Sequence, residues 1–189
     1  RRIVTPLEMM GATFLCRSND RLPLTVKGAQ DTLPIEYTLP VASAQVKSAI
    51  MLAGLNASGR TTVIEDHPTR DHTENMLRHF GAEVNVEELE NGAYAVSLCG
   101  QQELRGCAID VPRDPSSAAF AAVAALITEG SDITMSNVGV NPRRDGVFVT
   151  LQEMGADIRY ENQRLEAGES VATIKVTSNN TLKGINVPE

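Results

Sequence analysis

Four residues in the first half of the chain have types and spacing that could do chemistry: Ser43, Ala44 and Gln45 at the head of a long apolar run, and Arg70 downstream. Ser43 stands where a helix N-cap would be, so the first backbone N–H groups point outward and the dipole places partial positive charge there. Such an end is suited to an anion. The Ser43 hydroxyl adds a donor, and the Gln45 amide can bond both a ring hydroxyl and a carboxylate. The competing reading is a plain cap, with Gln45 and Lys47 in water. Arg70 lies within His67-Pro-Thr-Arg-Asp-His72, in a loop that leads into another helix. A guanidinium there can meet a phosphate or carboxylate with both arms of its fork. The competing reading is a surface pair with Asp71 or Glu74, which is worth little. His67, His72 and His79 do not share helical i,i+4 spacing within a carboxylate cluster, so no metal ion is expected.

A second set has a related form. Arg113-Asp-Pro-Ser-Ser117 puts Asp114 at an N-cap and Pro115 at the first helical position, a strong helix-start signal that stability alone could explain. Asn141-Pro-Arg-Arg-Asp145 resembles the Arg70 loop by position, with Arg143 or Arg144 in the corresponding place. A surface location is the favoured reading for both arginines. No phosphate-binding Gly-rich loop and no Ser-His-Asp arrangement in a recognisable context accompanies these residues.

The elements that must position them follow an internal repeat. Met9-Met10-Gly11-Ala12, His79-Phe80-Gly81-Ala82 and Glu153-Met154-Gly155-Ala156 recur about 70 to 75 residues apart. Each closes an amphipathic helix on a Gly suited to the left-handed C-terminal cap. The later two copies enter clear strands, 83–89 and 157–162, and after a turn return as 93–99 and 172–177; Glu90-Asn-Gly92 is a hairpin signal. Interleaved with these are helix 43–57 feeding strand 61–65, and helix 116–128 feeding strand 132–137. Each complete unit therefore reads strand, helix, strand, helix, strand, strand. Helices 43–57 and 116–128 are apolar or small nearly all round, which predicts burial on most sides. The expected fold class is α/β, repeated βαβαββ units with sheets outside and mostly buried Ala-rich helices inside.

Composition limits the partners. The 189 residues are 42% hydrophobic, enough for a core without disulfides. Cys16, Cys99 and Cys107 have no metal-ligand spacing and suggest a reduced, cytoplasmic interior. A net charge of −7 argues against nucleic acid, and no run approaches the length of a membrane span. A secretory signal is not read in the first residues, which lack an apolar core. The charge does not exclude an anionic small molecule, because a few converging cations make a local positive pocket on an acidic protein.

Pro40-Val-Ala-Ser-Ala-Gln-Val-Lys-Ser-Ala49, Thr69-Arg-Asp-His-Thr-Glu-Asn-Met-Leu77, Asp114-Pro-Ser-Ser-Ala-Ala-Phe120, and Asn141-Pro with Leu151-Gln-Glu-Met-Gly-Ala-Asp157 resemble the 5-enolpyruvylshikimate-3-phosphate synthase family of enolpyruvyl transferases. The resemblance runs in order through essentially the whole chain. It implies two domains of three βαβαββ units each, with 1–111 belonging to the first domain, 112–189 to the second, and a hinge near 111–114. The implied reaction moves the enolpyruvyl group of phosphoenolpyruvate to the 5-hydroxyl of shikimate 3-phosphate, in the pathway to aromatic amino acids, without metal or organic cofactor.

By carry-over, Ser43 and the Ala44 backbone would hold the 3-phosphate. Gln45 would bond the shikimate ring and lie close to phosphoenolpyruvate, and Arg70 would face the 3-phosphate. The family's acid–base residues and its phosphoenolpyruvate-gripping Arg and Lys match no position here, so no catalytic residue is assigned. The sequence reads as a central piece, about 40–45%, of a longer monomeric enzyme, and turnover by the piece alone is not expected. The alternatives are a UDP-N-acetylglucosamine enolpyruvyl transferase, which the Ser-Ala-Gln and Thr-Arg-Asp-His pair argues against, and a ligand-binding fragment without catalysis.

Overall fold

A computed structural model describes residues 2–18, 21–178 and 181–187. The chain divides into two compact units, Arg1–Gly106 and Cys107–Glu189. The first begins with helix α1 (Val4–Met9), followed by an antiparallel pair, β1 (Thr13–Arg17) and β2 (Arg21–Lys27). Then come β3 (Glu36–Thr38), α2 (Ala44–Gly54), β4 (Arg60–Glu65), α3 (His72–His79), β5 (Val84–Glu88) and β6 (Tyr94–Cys99). This is the expected strand, helix, strand, helix, strand, strand order. The four strands make one sheet in the order β3-β4-β6-β5, with β3 and β4 parallel and the other pairings antiparallel.

The second unit repeats the pattern with α4 (Pro115–Ile127), β7 (Asp132–Gly139), α5 (Gly146–Glu153), β8 (Asp157–Glu166) and β9 (Glu169–Thr177). Its sheet runs β7-β9-β8, and Arg113 forms a parallel bridge with Val138 in the place that β3 takes beside β4. The two units therefore share one topology.

The local causes are those the sequence carries. Gly11, Gly81 and Gly155 close α1, α3 and α5 at φ of +98°, +92° and +97°, a region open to Gly without a Cβ penalty. Gly92 closes the β5–β6 hairpin, with Leu89 N–H donating to Ala93 O at 2.7 Å. Alternation then buries one face of the four-stranded sheet and one of the three-stranded sheet. Val63, Val96 and Leu98 meet Val46, Ile50 and Met51 of α2 in the first core, while Val138, Ile158, Ile174 and Val176 meet Ala122, Ala125, Leu126 and Phe148 in the second. Each fully buried large side chain of this kind contributes about 1.5–3 kcal/mol.

The burial expected nearly all round holds better for α2 than for α4. Along α2 only Gln45 and Leu52 are exposed, because α1 packs against it in addition to β4 and β6. Helix α4 packs mainly on β7 and β9, and Phe120, Val123 and Ile127 on its other face are exposed. Strands β1 and β2 were not legible as clear strands, since their alternation buries no face: every residue of β2 is exposed.

Candidate functional site

Because β3 and β4 are parallel, the helices that follow them both start at the same edge of the first sheet, beyond the strands' C-terminal ends. That topology alone brings Ser43 and the Arg70 loop to one side, where ligands of open α/β sheets collect. Ser43 is the N-cap of α2, extended at φ −153°, and its hydroxyl accepts from Val46 N–H at 3.4 Å. This is long for a cap bond. Ser43 and Ala44 are half-buried and Gln45 is exposed. The start of α2 is thus an accessible N-terminus with a weakly engaged hydroxyl.

Arg70 precedes Asp71, the N-cap residue of α3, and is half-buried. It forms no ion pair with Asp71 or Glu74 among the described residues. Glu74 is instead buried and committed elsewhere. Its Oε1 lies 2.6 Å from Lys47 Nζ, and the same ammonium donates to Glu65 Oε1 at 3.0 Å. Lys47 is 0% exposed, so the reading that placed it in water is overturned. Position 47 faces the sheet beside Val46 and Ile50, and its charge is accommodated only because two carboxylates meet it there.

The same cluster reaches the Arg70 loop. Thr69 Oγ1 donates to Glu65 Oε2 at 2.7 Å, and Ser48 and Thr73 share a hydroxyl–hydroxyl bond at 2.6 Å. The loop is therefore tied to the end of β4 just before Arg70, and the start of α3 just after it is tied to α2. Sequence reasoning missed Lys47, Glu65, Thr69 and Glu74 as a group. Beside this edge, Arg2, Thr5, Tyr37, Leu39, Pro40, Val41 and Val46 line a cavity of about 210 Å³.

The second unit shows the same arrangement with its anion built in. Asp114 caps α4 and accepts from Ser116 N–H at 3.2 Å, Ser117 N–H at 3.0 Å and the Ser117 hydroxyl at 2.8 Å. Arg144 occupies the loop position of Arg70, and its Nη2 donates to Asp114 Oδ1 at 3.0 Å and to Ser116 Oγ at 2.8 Å. It is engaged at the helix terminus, not free on the surface as expected, because the Asp114 carboxylate offers it a partner there. The Ser117 hydroxyl first, then the backbone N–H groups and Arg144, hold the Asp114 carboxyl below its ordinary range. Nearby, burial and then the Asp145 charge push the Tyr160 phenol up to about 12, and burial raises Asp145 itself.

No group of three or more His, Cys, Asp or Glu among the described residues is placed to hold a metal ion. Nor is any described helix long and apolar enough to cross a membrane.

The repeated βαβαββ units define a class, and the fold is that of the enolpyruvyl transferases. The transferase NikO from Streptomyces tendae superposes with a TM-score of 0.60 over 93% of this chain and 41% of its own, at 15% identity, a likeness of fold alone. An EPSP synthase from Acinetobacter baumannii superposes with a TM-score of 0.85 at 49% identity, over 99% of this chain and 42% of that one. Residues 1–189 match the family model for EPSP synthase (3-phosphoshikimate 1-carboxyvinyltransferase). The chain belongs to the EPSP synthase family. The 3-phosphoshikimate 1-carboxyvinyltransferases of Paramagnetospirillum magneticum and Granulibacter bethesdensis are each 58% identical to it, across 100% of this chain and 42% and 41% of theirs. The chain thus spans about two fifths of the length of the curated relatives it matches.

Proposed function

We propose that the start of α2 and the Arg70 loop form the shikimate 3-phosphate half of an enolpyruvyl transfer site. The observation that carries this reading is the contrast between the two units. Where the second places the Asp114 carboxylate between a helix N-terminus and Arg144, the first has the neutral Ser43 and an Arg70 without an ion-pair partner among the described residues. An external anion supplies the missing charge. In this reading, Ser43 and the Ala44 N–H bind the 3-phosphate, Arg70 faces it, and Gln45 bonds the ring and lies close to phosphoenolpyruvate. The relatives' printed activity, 3-phosphoshikimate 1-carboxyvinyl transfer, supports the choice of ligand.

In the proposed reaction, the 5-hydroxyl oxygen gives up its proton and bonds to C2 of phosphoenolpyruvate while C3 takes a proton, giving a tetrahedral intermediate. The bond from C2 to the phosphate oxygen then breaks, C3 loses a proton, and phosphate leaves. The residues on this chain fix one anionic substrate and aim its hydroxyl, which can supply a large part of such a barrier through orientation and preset donors. The acid–base steps are assigned to no residue of this sequence. The reading also treats 1–111 and 112–189 as portions of two domains with a hinge near 111–114. It places the protein in the cytoplasm, with which three free thiols agree.

Calorimetric titration of the chain with shikimate 3-phosphate, beside Ser43→Ala and Arg70→Ala, tests the assignment. Saturable binding weakened in each variant by about 1–3 kcal/mol is expected for charge-assisted bonds. Binding unchanged in both variants, or none by the folded chain, would refute the half-site.

A further inference from the structure

The Lys47 cluster has no counterpart in the second unit. Counting from each helix cap, Lys47 corresponds to Ala118; counting back and forward from the aligned loops, Glu65 corresponds to Gly139 and Glu74 to Phe148. Phe148 is 0% exposed and fills its core. The fold therefore closes around an apolar side chain at this place, and a buried ammonium with two carboxylates is not needed to pack it. Such ion clusters are commonly no more stabilising than apolar residues of similar volume, because desolvation opposes the attraction. Here the arrangement also leaves Glu74 Oε2 buried with no hydrogen-bond partner among the described residues. A costly cluster stands only in the unit whose helix terminus and arginine lack a built-in anion.

Its connections show what it does. Lys47 sits four residues after Ser43 on α2; Glu65 ends β4 and Glu74 lies in the first turn of α3, so the ammonium ties together the two ends of the loop that carries Arg70. Glu65 also holds Thr69, the residue before Arg70. We propose that Lys47, Glu65 and Glu74 form a positioning cluster that keeps the Arg70 loop in register with the α2 N-terminus. None of the three is assigned a contact with substrate. The proposal rests on the half-site reading above for its purpose, and on the bonds themselves for its existence.

The test compares the chain with Lys47→Met/Glu65→Leu/Glu74→Leu, which removes every charge of the cluster and keeps its volume. A second pair, Thr69→Val and Thr69→Ser, leaves the three charges in place and decides the matter if the triple variant does not fold. Backbone 15N relaxation is recorded over 66–71, with shikimate 3-phosphate affinity alongside. The expected result is a triple variant that melts no lower than the parent, whose loop order parameter falls from about 0.85 toward 0.6 or less. Its affinity falls roughly tenfold or more. Thr69→Val loosens the loop and Thr69→Ser retains its order. Unchanged loop order in the folded triple variant, or in Thr69→Val where the triple does not fold, overturns the proposal whatever the affinity. A loosened loop in a chain that binds no shikimate 3-phosphate in any form supports the cluster and counts against the ligand assignment alone.

Discussion

Replacing Lys47 alone by Met separates the electrostatics of the cluster from its packing. The Met side chain fills much of the space of the lysine stem, so the cavity contribution is small, whereas the carboxylates of Glu65 and Glu74 lose their cation. Both are enclosed, with 2% and 1% of the side chain exposed, and they lie 3.0 and 2.6 Å from Nζ in the parent. Removing one partner of a buried ion pair costs about 3–5 kcal/mol, mainly the penalty of an uncompensated charge. One ammonium here serves two carboxylates, which argues for the upper part of that range. Total stabilities are about 5–15 kcal/mol, so the first unit should survive in weakened form.

Hydrogen exchange read by mass spectrometry is the suitable assay, because it reports the two units separately. At about 1.4 kcal/mol per factor of ten, peptides from α2, β4 and β6 should lose roughly 100-fold or more of their protection. Those from β7, β8 and β9, built on a separate core, serve as the reference. A loss below about tenfold in β4 and α2 would mean that water or protonation relieves the carboxylates at little cost. That result would refute a dominant role for the buried charges. The same holds if the second unit weakens equally. The sign also matters: the single change destabilises while the apolar triple change does not, which no argument from side-chain volume alone reproduces.

Gly100→Ala should destabilise the first unit by about 1–3 kcal/mol or more, seen as a lower urea midpoint, because a Cβ there would run into the carbonyl oxygens of Ala57 and Gly54; an unchanged midpoint would contradict that close approach. Asp114, with its carboxyl held below the ordinary 3.8, contributes to stability above the unfolded-state value and loses that contribution as pH falls through the lower folded one. The Ser116 and Ser117 amide resonances should therefore hold steady down to about pH 4 and shift only below it, and Asp114→Asn should abolish the transition. A midpoint at or above the ordinary value would refute the capping arrangement.

What the sequence made legible was local. Gly11, Gly81 and Gly155 announced their caps, Asn91-Gly92 its hairpin, and Asp114-Pro115 a helix start, because each signal needs only a few neighbouring residues and the backbone angles they allow. Lys47 was misread because its environment is set by Glu65, 18 positions away, and by Glu74, still further along. A lysine in the first turn of a helix looks solvated until its partners are known. Strands β1 and β2 escaped for the opposite reason, having no buried face to impose a pattern.

A signal for the cluster was nevertheless present in the repeat. Laying His67-Pro-Thr-Arg-Asp71 over Asn141-Pro-Arg-Arg-Asp145 pairs Arg70 with Arg144, and the same alignment pairs Glu74 with Phe148. A carboxylate aligned with a core phenylalanine must be either exposed through a shift in the helix or buried with a partner. The shared caps at Asp71 and Asp145 remove the first possibility, since they fix the helix register. Burial with a cation follows, and Lys47 is the lysine of the helix that must pack against it. The two units thus divide the same geometry in opposite ways. The second neutralises its arginine with Asp114 and fills its interior with Phe148; the first keeps its arginine without a carboxylate partner and places its paired charges inside. Placing Lys at the Ala118 position and Glu at the Phe148 position would not by itself move the proposed anion site, because Asp114 would still occupy the helix terminus. On the proposed half-site reading, the choice between Ser and Asp at the cap decides whether that terminus is open to an outside anion, and the proposed role of the buried cluster is to set how firmly the arginine faces it.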